Sequence, residues 1–302
     1  MLKNNEIKQM AYSIGFSACG ITQATPVEKE IIEKYKEWLS AGNHGEMKYL
    51  ANNLNKRLNP QELVENAKTI IVVLLNYYPP QKQPQNIPQV AKCAYGRDYH
   101  KVVKKKLKLF YQKLQEMYPS LKGRYFCDSA PVLERIWALK SGLGWIGKNN
   151  LLINKKLGSF FFIGELIINI PADEYDKPIK SSHCGTCTKC IDACPTGALY
   201  PYKLNANLCI SYDTIELKDP SKSLIPSTHN WLFGCDICQD VCPWNQKLIP
   251  TTEEDLFIKP FLLQANKNDW EKLTEQEFQS IFHNSQLKRA GLIHIKQTLK
   301  KL

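Results

Sequence analysis

The chain has 302 residues, of which 43% are apolar and 23% are charged. This balance is typical of a globular protein and excludes a disordered or fibrous one. The formal charge of +11 favours a polyanionic partner or an anionic cofactor. No apolar run reaches the roughly 20 residues of a membrane-spanning helix, and the first residues lack the pattern of an export signal. The sequence therefore predicts a cytoplasmic protein.

The first 170 residues contain both helical and strand patterns. Residues 28–40 predict an amphipathic helix, and the β-branched run Thr69–Leu75 predicts a buried strand. Between Asp98 and Met117, apolar side chains fall on one helical stripe and lysines on the opposite side. This segment predicts a second amphipathic helix.

Shorter elements follow in the same part of the chain. Gly123–Cys127 predicts a strand that leads into a helix over Pro131–Lys140. Leu151–Ile153 and Ser159–Ile170 predict two strands joined by a turn. The mixture predicts the α+β fold class, with an α/β domain at the N-terminus.

The composition changes at Pro171, where a polar segment punctuated by prolines has the character of a linker. A cysteine-rich module follows it. Helical patterns resume at Trp270–Phe282 and Leu287–Leu302. We therefore expect a catalytic domain at 1–175, a ferredoxin-like domain at 176–248 and a helical C-terminal segment at 249–302.

Eight of the eleven cysteines fall between Cys184 and Cys242. Such clustering indicates metal binding, because a reducing cytoplasm disfavours disulfide bonds. A first motif reads Cys-x2-Cys-x2-Cys-x3-Cys-Pro and a second reads Cys-x2-Cys-x3-Cys-Pro, with one cysteine between them. The pattern is typical of two [4Fe–4S] clusters, which would lower the formal charge to about +7. Zinc is the alternative, because Cys-x2-Cys pairs also build zinc sites.

In ferredoxins with two clusters, the cysteine that precedes proline binds the other cluster. This crossing rule assigns the first cluster to Cys184, Cys187, Cys190 and Cys242. It assigns the second cluster to Cys194, Cys209, Cys235 and Cys238. A ferredoxin alone would not need the folded domain that precedes it, so we expect the electrons to end at a group held by that domain.

A Gly-x-Gly-x-x-Gly string spans Gly142–Gly147. It follows a helical segment rather than a strand, so it lacks the context of a dinucleotide-binding site. We interpret it as a loop that brings the backbone close to a ligand or to a neighbouring element. The six histidines are scattered and form no metal set.

Several further motifs run through the chain in a specific order. They are Lys56-Arg57, Cys93–His100 (CAYGRDYH), Asp128–Arg135 (DSAPVLER), Gly142–Asn149 (GLGWIGKN), Leu204–Ser211 (LNANLCIS) and Phe233–Pro243 (FGCDICQDVCP). With the first cysteine motif, they resemble the epoxyqueuosine reductase family over about residues 5–290. The resemblance implies reduction of epoxyqueuosine to queuosine at the tRNA wobble position, the last step of queuosine biosynthesis. It also implies that electrons pass through the two clusters to a cobalamin without a histidine ligand.

The resemblance implies that Asp128 is the proton donor. An epoxide oxygen leaves as a poor alkoxide, so proton donation should matter, and we expect burial to raise the pKa of this carboxyl group. The alternative for Asp128 is a turn or helix-capping residue before Pro131. The resemblance also implies cobalamin contacts at Arg57, Cys93, Asp128, Leu152, Ile163 and Ser211. The alternatives are a surface arginine at Arg57 and a small buried hydrophobic residue at Cys93, and we interpret Cys19 and Cys127 as structural.

The implied partners are a tRNA with a queuosine-type anticodon and an unidentified low-potential electron donor. We expect no membrane partner and a monomeric protein. The lysine face of Lys101–Lys113 and the basic tail of Lys288–Lys301 are candidate phosphate contacts, although such faces are more often simply solvated. Two other functions are a small-molecule reductase similar to reductive dehalogenases and an electron-transfer protein of ferredoxin type. Asp128 within its motif argues against the latter.

Overall fold

The chain folds into twelve α-helices and ten strands, described over residues 1–302 by a computed structural model. The helices are α1 Asn4–Ser13, α2 Lys29–Ser40, α3 Leu54–Leu58, α4 Pro60–Leu63, α5 Tyr99–Met117, α6 Glu134–Lys140, α7 Lys189–Asp192, α8 Ile210–Ile215, α9 Ile237–Asp240, α10 Lys267–Lys272, α11 Glu275–Ile281 and α12 Leu287–Thr298. The strands are β1 Ala18–Gln23, β2 Thr69–Asn76, β3 Gln89–Val90, β4 Gly123–Phe126, β5 Trp145–Ile146, β6 Leu152–Ile153, β7 Phe161–Ile168, β8 Leu199–Tyr200, β9 Lys203–Leu204 and β10 Trp231–Phe233. None of the helices has the length and apolar character that crossing a lipid bilayer requires.

Strands β1, β2, β7 and β4 form an antiparallel sheet in that order. Residues Thr69–Leu75 of β2 are all buried, because helices cover both faces of the sheet. Helices α1 and α5 pack on one face and α6 packs on the other. The predicted α+β class and the predicted buried strand are confirmed.

Helix α5 confirms the predicted amphipathic pattern. Its buried side chains are Val102, Val103, Leu107, Phe110 and Leu114. The helix lies close to β7 at Gly164, where a Cβ atom would lie 2.9 Å from Val103 and 3.0 Å from Leu107. Glycine at this position therefore sets the distance between α5 and the sheet.

The predicted helix over Pro131–Lys140 is wrong in its first three residues, because α6 begins only at Glu134. The preceding residues 128–133, here named the Asp128 loop, turn too tightly to be helical. Ala130 N–H donates to the carbonyl of Asp128 at 2.9 Å, an interval of two residues that is typical of γ-turns. Asp128 itself has the left-handed φ of 58°, so it does not cap α6.

The two strands predicted around residues 151–170 both form, as β6 and β7. They belong to different sheets, however, because β6 pairs with β5 in a separate antiparallel ladder. This ladder brings the backbone of Gly144 against the carbonyl group of Ile153, where a Cβ atom would clash. The glycine string therefore serves a close approach between neighbouring elements.

The segment 171–183, expected to be a linker, is attached to the first domain by hydrogen bonds. Asn4 N–H donates to Oδ1 of Asp173 at 2.9 Å, and Ile21 N–H donates to Oδ2 of Asp176 at 2.8 Å. The chain therefore enters the cysteine module from a fixed position. The domain boundary at 175 stays a prediction.

The cysteine module and the C-terminal helices share contacts with residues 89–95. Strand β3 pairs in parallel with β10 of the module. The C-terminal segment buries Trp270, Phe278 and Phe282 in a core that includes Val90 and Phe233. The helical pattern of 270–282 is split into α10 and α11, since capping boxes begin both helices. The boundary at 248 also stays a prediction.

Candidate active site and thiol groups

A cavity of about 1370 Å³ opens between the N-terminal part of the chain, the cysteine module and the C-terminal helices. The N-terminal part contributes α2, residues 41–53 and the Asp128 loop. The cysteine module contributes Pro201–Leu204 and Glu216, and helix α12 contributes Arg289. Ligand pockets usually measure about 300–1,000 Å³. This cavity can therefore hold a ligand larger than most small molecules, or two ligands together.

Asp128 lies in the wall of this cavity, with its side chain 47% exposed. Its carboxylate Oδ2 is 2.8 Å from Nε2 of His100. Its backbone N–H donates to Oε1 of Glu134, which holds the start of the Asp128 loop against the first turn of α6. The carboxyl group is therefore fixed from two directions.

His100 connects Asp128 to the first turn of α5. Its Nδ1 lies 2.7 Å from Oδ1 of Asp98, which also caps α5 by accepting the backbone N–H of His100. Each ring nitrogen faces a carboxylate oxygen, so both N–H groups can donate only in the imidazolium form. Burial lowers the pKa of His100, but the hydrogen bonds and charges of Asp128 and Asp98 outweigh it and raise the pKa to about 9.

The expected rise in the pKa of Asp128 is wrong. Burial does raise the pKa of this carboxyl group, but the hydrogen bond and charge of His100, the nearby Tyr99 and the charge of Arg289 together lower it below its usual value. Asp128 is therefore a carboxylate at neutral pH, and the transferable proton of the pair resides on His100.

Two further acids stand behind Asp128. Burial, followed by the charge of Asp128, raises the pKa of Glu134 to about 8. Glu165 on β7 is 0% exposed, and burial followed by the charges of Glu134 and Asp128 raises its pKa well above the usual value. We name His100, Asp128, Glu134 and Glu165 the acid group. At neutral pH only Asp128 among them lacks a proton.

Arg57 also lines the cavity, although it is only 7% exposed. One nitrogen, Nη2, donates to the carbonyl group of Tyr49 at 3.1 Å, whereas the buried Nε has no partner. Arg57 is thus not a surface arginine. A buried guanidinium donor beside an open cavity is suited to an acceptor on a ligand.

The other four residues implied as cobalamin contacts do not line this cavity. Cys93 is partly buried where three apolar clusters meet, Leu152 is buried in β6, Ile163 lies in β7, and Ser211 lies in α8. Their contacts to a cofactor stay predictions.

Thiols of the cysteine module raise one another's pKa values. Burial, then the charges of Cys242, Cys184 and Cys187, raise the pKa of Cys190. Burial, together with the charges of Cys209, Asp236 and Cys194, likewise raises the pKa of Cys235, and Cys235 and Cys209 are the thiols that raise the pKa of Cys238 most. These neighbours fall within the two predicted ligand sets, except that Cys190 of the first set also raises the pKa of Cys238 in the second. Ligation by them stays a prediction.

Sequence reasoning missed most of the acid group. His100 stands in the Cys93–His100 motif and Glu134 in the Asp128–Arg135 motif, so the motifs contained the signal without a role for either residue. Glu165 was visible only as a charge inside an apolar run. Arg289, whose Nη2 donates to Oε2 of Glu216 at 2.7 Å on the cavity wall, was expected only as part of a basic tail.

Comparison with known families covers both halves of this arrangement. The family described as "Epoxyqueuosine reductase QueG, DUF1730" matches residues 57–129, and the "4Fe-4S double cluster binding domain" matches residues 183–245. The epoxyqueuosine reductase of Leadbetterella byssophila is 46% identical over 98% of this chain and 97% of its own length. The chain belongs to the epoxyqueuosine reductase family.

Other epoxyqueuosine reductases extend the comparison. The Escherichia coli enzyme is 39% identical over 95% of this chain and 76% of its own length. The Bacillus subtilis enzyme, solved with its catalytic aspartate loop swung out of the active site, is 28% identical and has a TM-score of 0.86 over 98% of this chain and 79% of that one. A relative in complex with an epoxyqueuosine-modified tRNA stem loop has a TM-score of 0.84 with the same coverage. The predicted family, oxidoreductase class and iron–sulfur module are confirmed.

Proposed function

We propose that this reductase converts the epoxide of epoxyqueuosine in tRNA into the alkene of queuosine, with Asp128 as the residue that delivers a proton to the substrate. The hydrogen-bonded His100–Asp128 pair in the cavity wall is the observation that carries this proposal. The relative that holds an epoxyqueuosine-modified stem loop supports the substrate. We also propose a monomer that is reduced by a low-potential donor.

Electrons would travel through two [4Fe–4S] clusters. The proposed ligands of the first are Cys184, Cys187, Cys190 and Cys242. The proposed ligands of the second are Cys194, Cys209, Cys235 and Cys238. The contact between α7 and α9, which carry one ligand of each cluster, supports electron transfer between them. The ammonium group of Lys148 donates to the carbonyls of Gly185 at 2.7 Å and Cys187 at 2.9 Å, which fixes the loop of the first motif.

We propose that the cavity also holds a cobalamin. Its volume exceeds that of most ligand pockets, and the unpartnered Nε of buried Arg57 offers a donor to an amide or phosphate acceptor. We propose contacts from Arg57 and Asp128 at the cavity, and from Cys93, Leu152, Ile163 and Ser211 by family resemblance. A bound cobalamin would supply a low-valent cobalt centre that can deliver an electron pair to carbon.

Residues of this chain would hold the proton and transfer it to the substrate. His100 holds it between Asp98 and Asp128, and Asp128 passes it to the epoxide oxygen as the carbon–oxygen bond weakens. Proton transfer of this kind contributes about 10²–10⁴-fold to a rate. Because the carboxyl group of Asp128 has already lost its proton at neutral pH, the acid in this proposal is the His100–Asp128 pair rather than a single carboxylic acid.

The cavity mouth would admit a nucleotide drawn out of the anticodon loop, as enzymes that modify bases in nucleic acids require. Lys34, Arg135 and Lys203 line the cavity and would meet phosphate or sugar oxygens. The exposed side of α5 adds Lys101, Lys105 and Lys108. These contacts carry no sequence information, so the modified base itself would provide specificity.

Anaerobic turnover of epoxyqueuosine-containing tRNA, with cobalamin and a low-potential reductant, tests this function. We expect queuosine as product and corrin absorption beside the broad cluster bands. Asp128→Asn should lower kcat by about 10²–10⁴-fold. Asp255→Asn is the matched control, because Asp255 lies in a surface pair with Arg97 outside the cavity.

Two results would contradict parts of the proposal. An Asp128→Asn enzyme as fast as the wild type would remove Asp128 as the proton donor. A wild type that forms no queuosine, although it contains cobalamin and both clusters, would remove epoxyqueuosine as the substrate.

A further inference from the structure

Glu165 has an ionisable side chain that is buried without any hydrogen-bond partner. It lies within β7, is 0% exposed, and neither of its carboxylate oxygens has a hydrogen-bond partner. Its cross-strand neighbours are Val72 and Phe126. An ionised carboxylate is strongly disfavoured there, so Glu165 carries a proton. A buried O–H group without an acceptor requires an explanation.

The ionisable groups near Glu165 offer an explanation for its buried proton. Glu165 is on the face of the sheet that α6 covers, and Glu134 begins α6. Asp128, which follows β4, also acts on Glu165, while Arg135 of α6 and His100 of α5 act on Glu134. Cys127 packs in the core on the other face of the sheet. Glu134 and Asp128 both act on Glu165 and both line the cavity, but Asp128 is ionised, so Glu134 is the one that can still donate a proton there.

The chemistry of the proposed function requires two protons. When an epoxide becomes an alkene, both carbon–oxygen bonds break, a carbon–carbon double bond forms, and the oxygen leaves as water. The oxygen therefore takes up two protons, and two electrons come from the proposed cluster path. The His100–Asp128 pair holds one transferable proton, because Asp128 is already ionised. A second proton must come from another group at the cavity.

We propose that Glu134 donates the second proton to the departing oxygen, and that Glu165 is a positioning residue whose O–H group turns toward the Glu134 carboxylate once that proton has left. This inference rests on the proposed function. In the resting state Glu134 is held by the backbone N–H of Asp128, next to the first proton donor. After turnover, Glu134 takes a proton from solvent through the cavity.

Because Glu165 has no hydrogen-bond partner in the resting state, it favours loss of the proton from Glu134. Before proton transfer, its O–H has no acceptor. After transfer, the new carboxylate of Glu134 is an acceptor, and a hydrogen bond to an ionised group is about twice as strong as one between neutral groups. The pair therefore favours release of the proton from Glu134 without requiring Glu165 to ionise.

Variants of the holoenzyme separate this role from a structural one. E134Q keeps an oxygen that can accept from Asp128 N–H but has no proton to donate, so kcat should fall about 10–100-fold with KM within twofold. E165Q retains a donor and should keep kcat within about threefold. E165M fills the same apolar space without a donor, so kcat should fall at least tenfold.

The pH profile adds a readout that packing alone would not change. Wild-type kcat should fall in two steps as pH rises, one near 8 as Glu134 loses its proton and one near 9 as His100 does. In E165M the first step should move to higher pH, because the Glu134 carboxylate has lost its donor, whereas in E165Q it should stay. E116Q, at an exposed glutamate of α5, is the control.

Infrared spectra of the anaerobic holoenzyme test Glu165 without turnover. A protonated carboxyl band at pH 7 should be present in the wild type and reduced in E165Q. An E165M enzyme with the wild-type kcat and pH profile, or an E165Q enzyme as slow as E165M, would overturn the inference. A wild type that makes no queuosine would instead contradict the proposed function, and the infrared result would still decide whether Glu165 is protonated.

Discussion

The thiol groups and the acid group are held in position by different means. The thiols stand on short loops and on helices of four residues, and most of them are only partly buried. In the acid group, His100, Glu134 and Glu165 stand on the central sheet or on helices that pack against it, and Asp128 stands on the Asp128 loop in the cavity wall. We infer that the proposed electron path has less support from the protein core than the proposed proton path. Mutations can therefore damage one path and leave the other intact.

Loss of a proposed cluster ligand should have the largest effect. In Cys190→Ala, iron should fall from about eight to about four atoms per chain, because a cubane needs four thiolates, and turnover should fall to background. Iron analysis, visible spectra and turnover measure this. Cys19→Ala is the control, because Cys19 is a buried thiol of the first core. Full iron content in Cys190→Ala would disprove the ligand assignment.

Loss of His100 should have the next largest effect and should leave the iron content unchanged. His100→Gln should lower kcat about 100-fold and remove the step near pH 9. The pKa of His100 is raised from 6.5 to about 9 in the folded state, so its stabilising contribution is complete below pH 6.5 and is lost as pH rises through 9.

The free energies of unfolding of the wild type and of His100→Gln should therefore converge at high pH. A pKa change of this size corresponds to at most roughly 3 kcal/mol in the free energy of unfolding. Denaturation of the wild type and of His100→Gln at pH 6 and pH 10 measures the difference. An equal difference at both pH values would mean that His100 is not charged in the folded protein.

A buried ion pair between residues 89–95 and the cysteine module should show a smaller effect, on the free energy of unfolding. Lys92 is 6% exposed, with its ammonium 3.2 Å from Asp236 and 2.7 Å from Asp240. Lys92→Met leaves the buried carboxylate of Asp236 without its cation and should cost about 3–5 kcal/mol. Adding Asp236→Asn should recover most of the loss, whereas Lys29→Met at an exposed pair should cost less than about 1 kcal/mol.

The lysine side of α5 should show the smallest effect. If Lys105 and Lys108 meet tRNA phosphates, each substitution to glutamine should reduce the slope of log affinity against log salt by about 0.7–0.9. Binding titrations at several salt concentrations measure it, with Lys267→Gln on α10 as the control. An unchanged slope would identify this side of α5 as a solvated surface.

The iron–sulfur module was predictable, because the spacing of the cysteines within each motif is a local property of the sequence. The same holds for β2 and α5, whose residue periodicities match the observed burial. The start of α6 was not predictable, because the hydrogen bond from Asp128 N–H to Glu134 competes with a helical turn. The pKa of Asp128 was predicted in the wrong direction, since it depends on His100, which is 28 residues away in sequence and adjacent in space.

Stacking and two hydrogen bonds hold the His100 ring in one orientation. Tyr99 stacks on the ring at 4.1 Å and on Phe162 at 4.0 Å, while both ring nitrogens are engaged by carboxylates. Rotation of the imidazole would break its hydrogen bonds to both carboxylates. Nδ1 faces Asp98, whose own N–H donates to the carbonyl of Asn284 between α11 and α12, whereas Nε2 faces Asp128 in the cavity wall. The two nitrogens of one ring therefore join the C-terminal helices to the cavity.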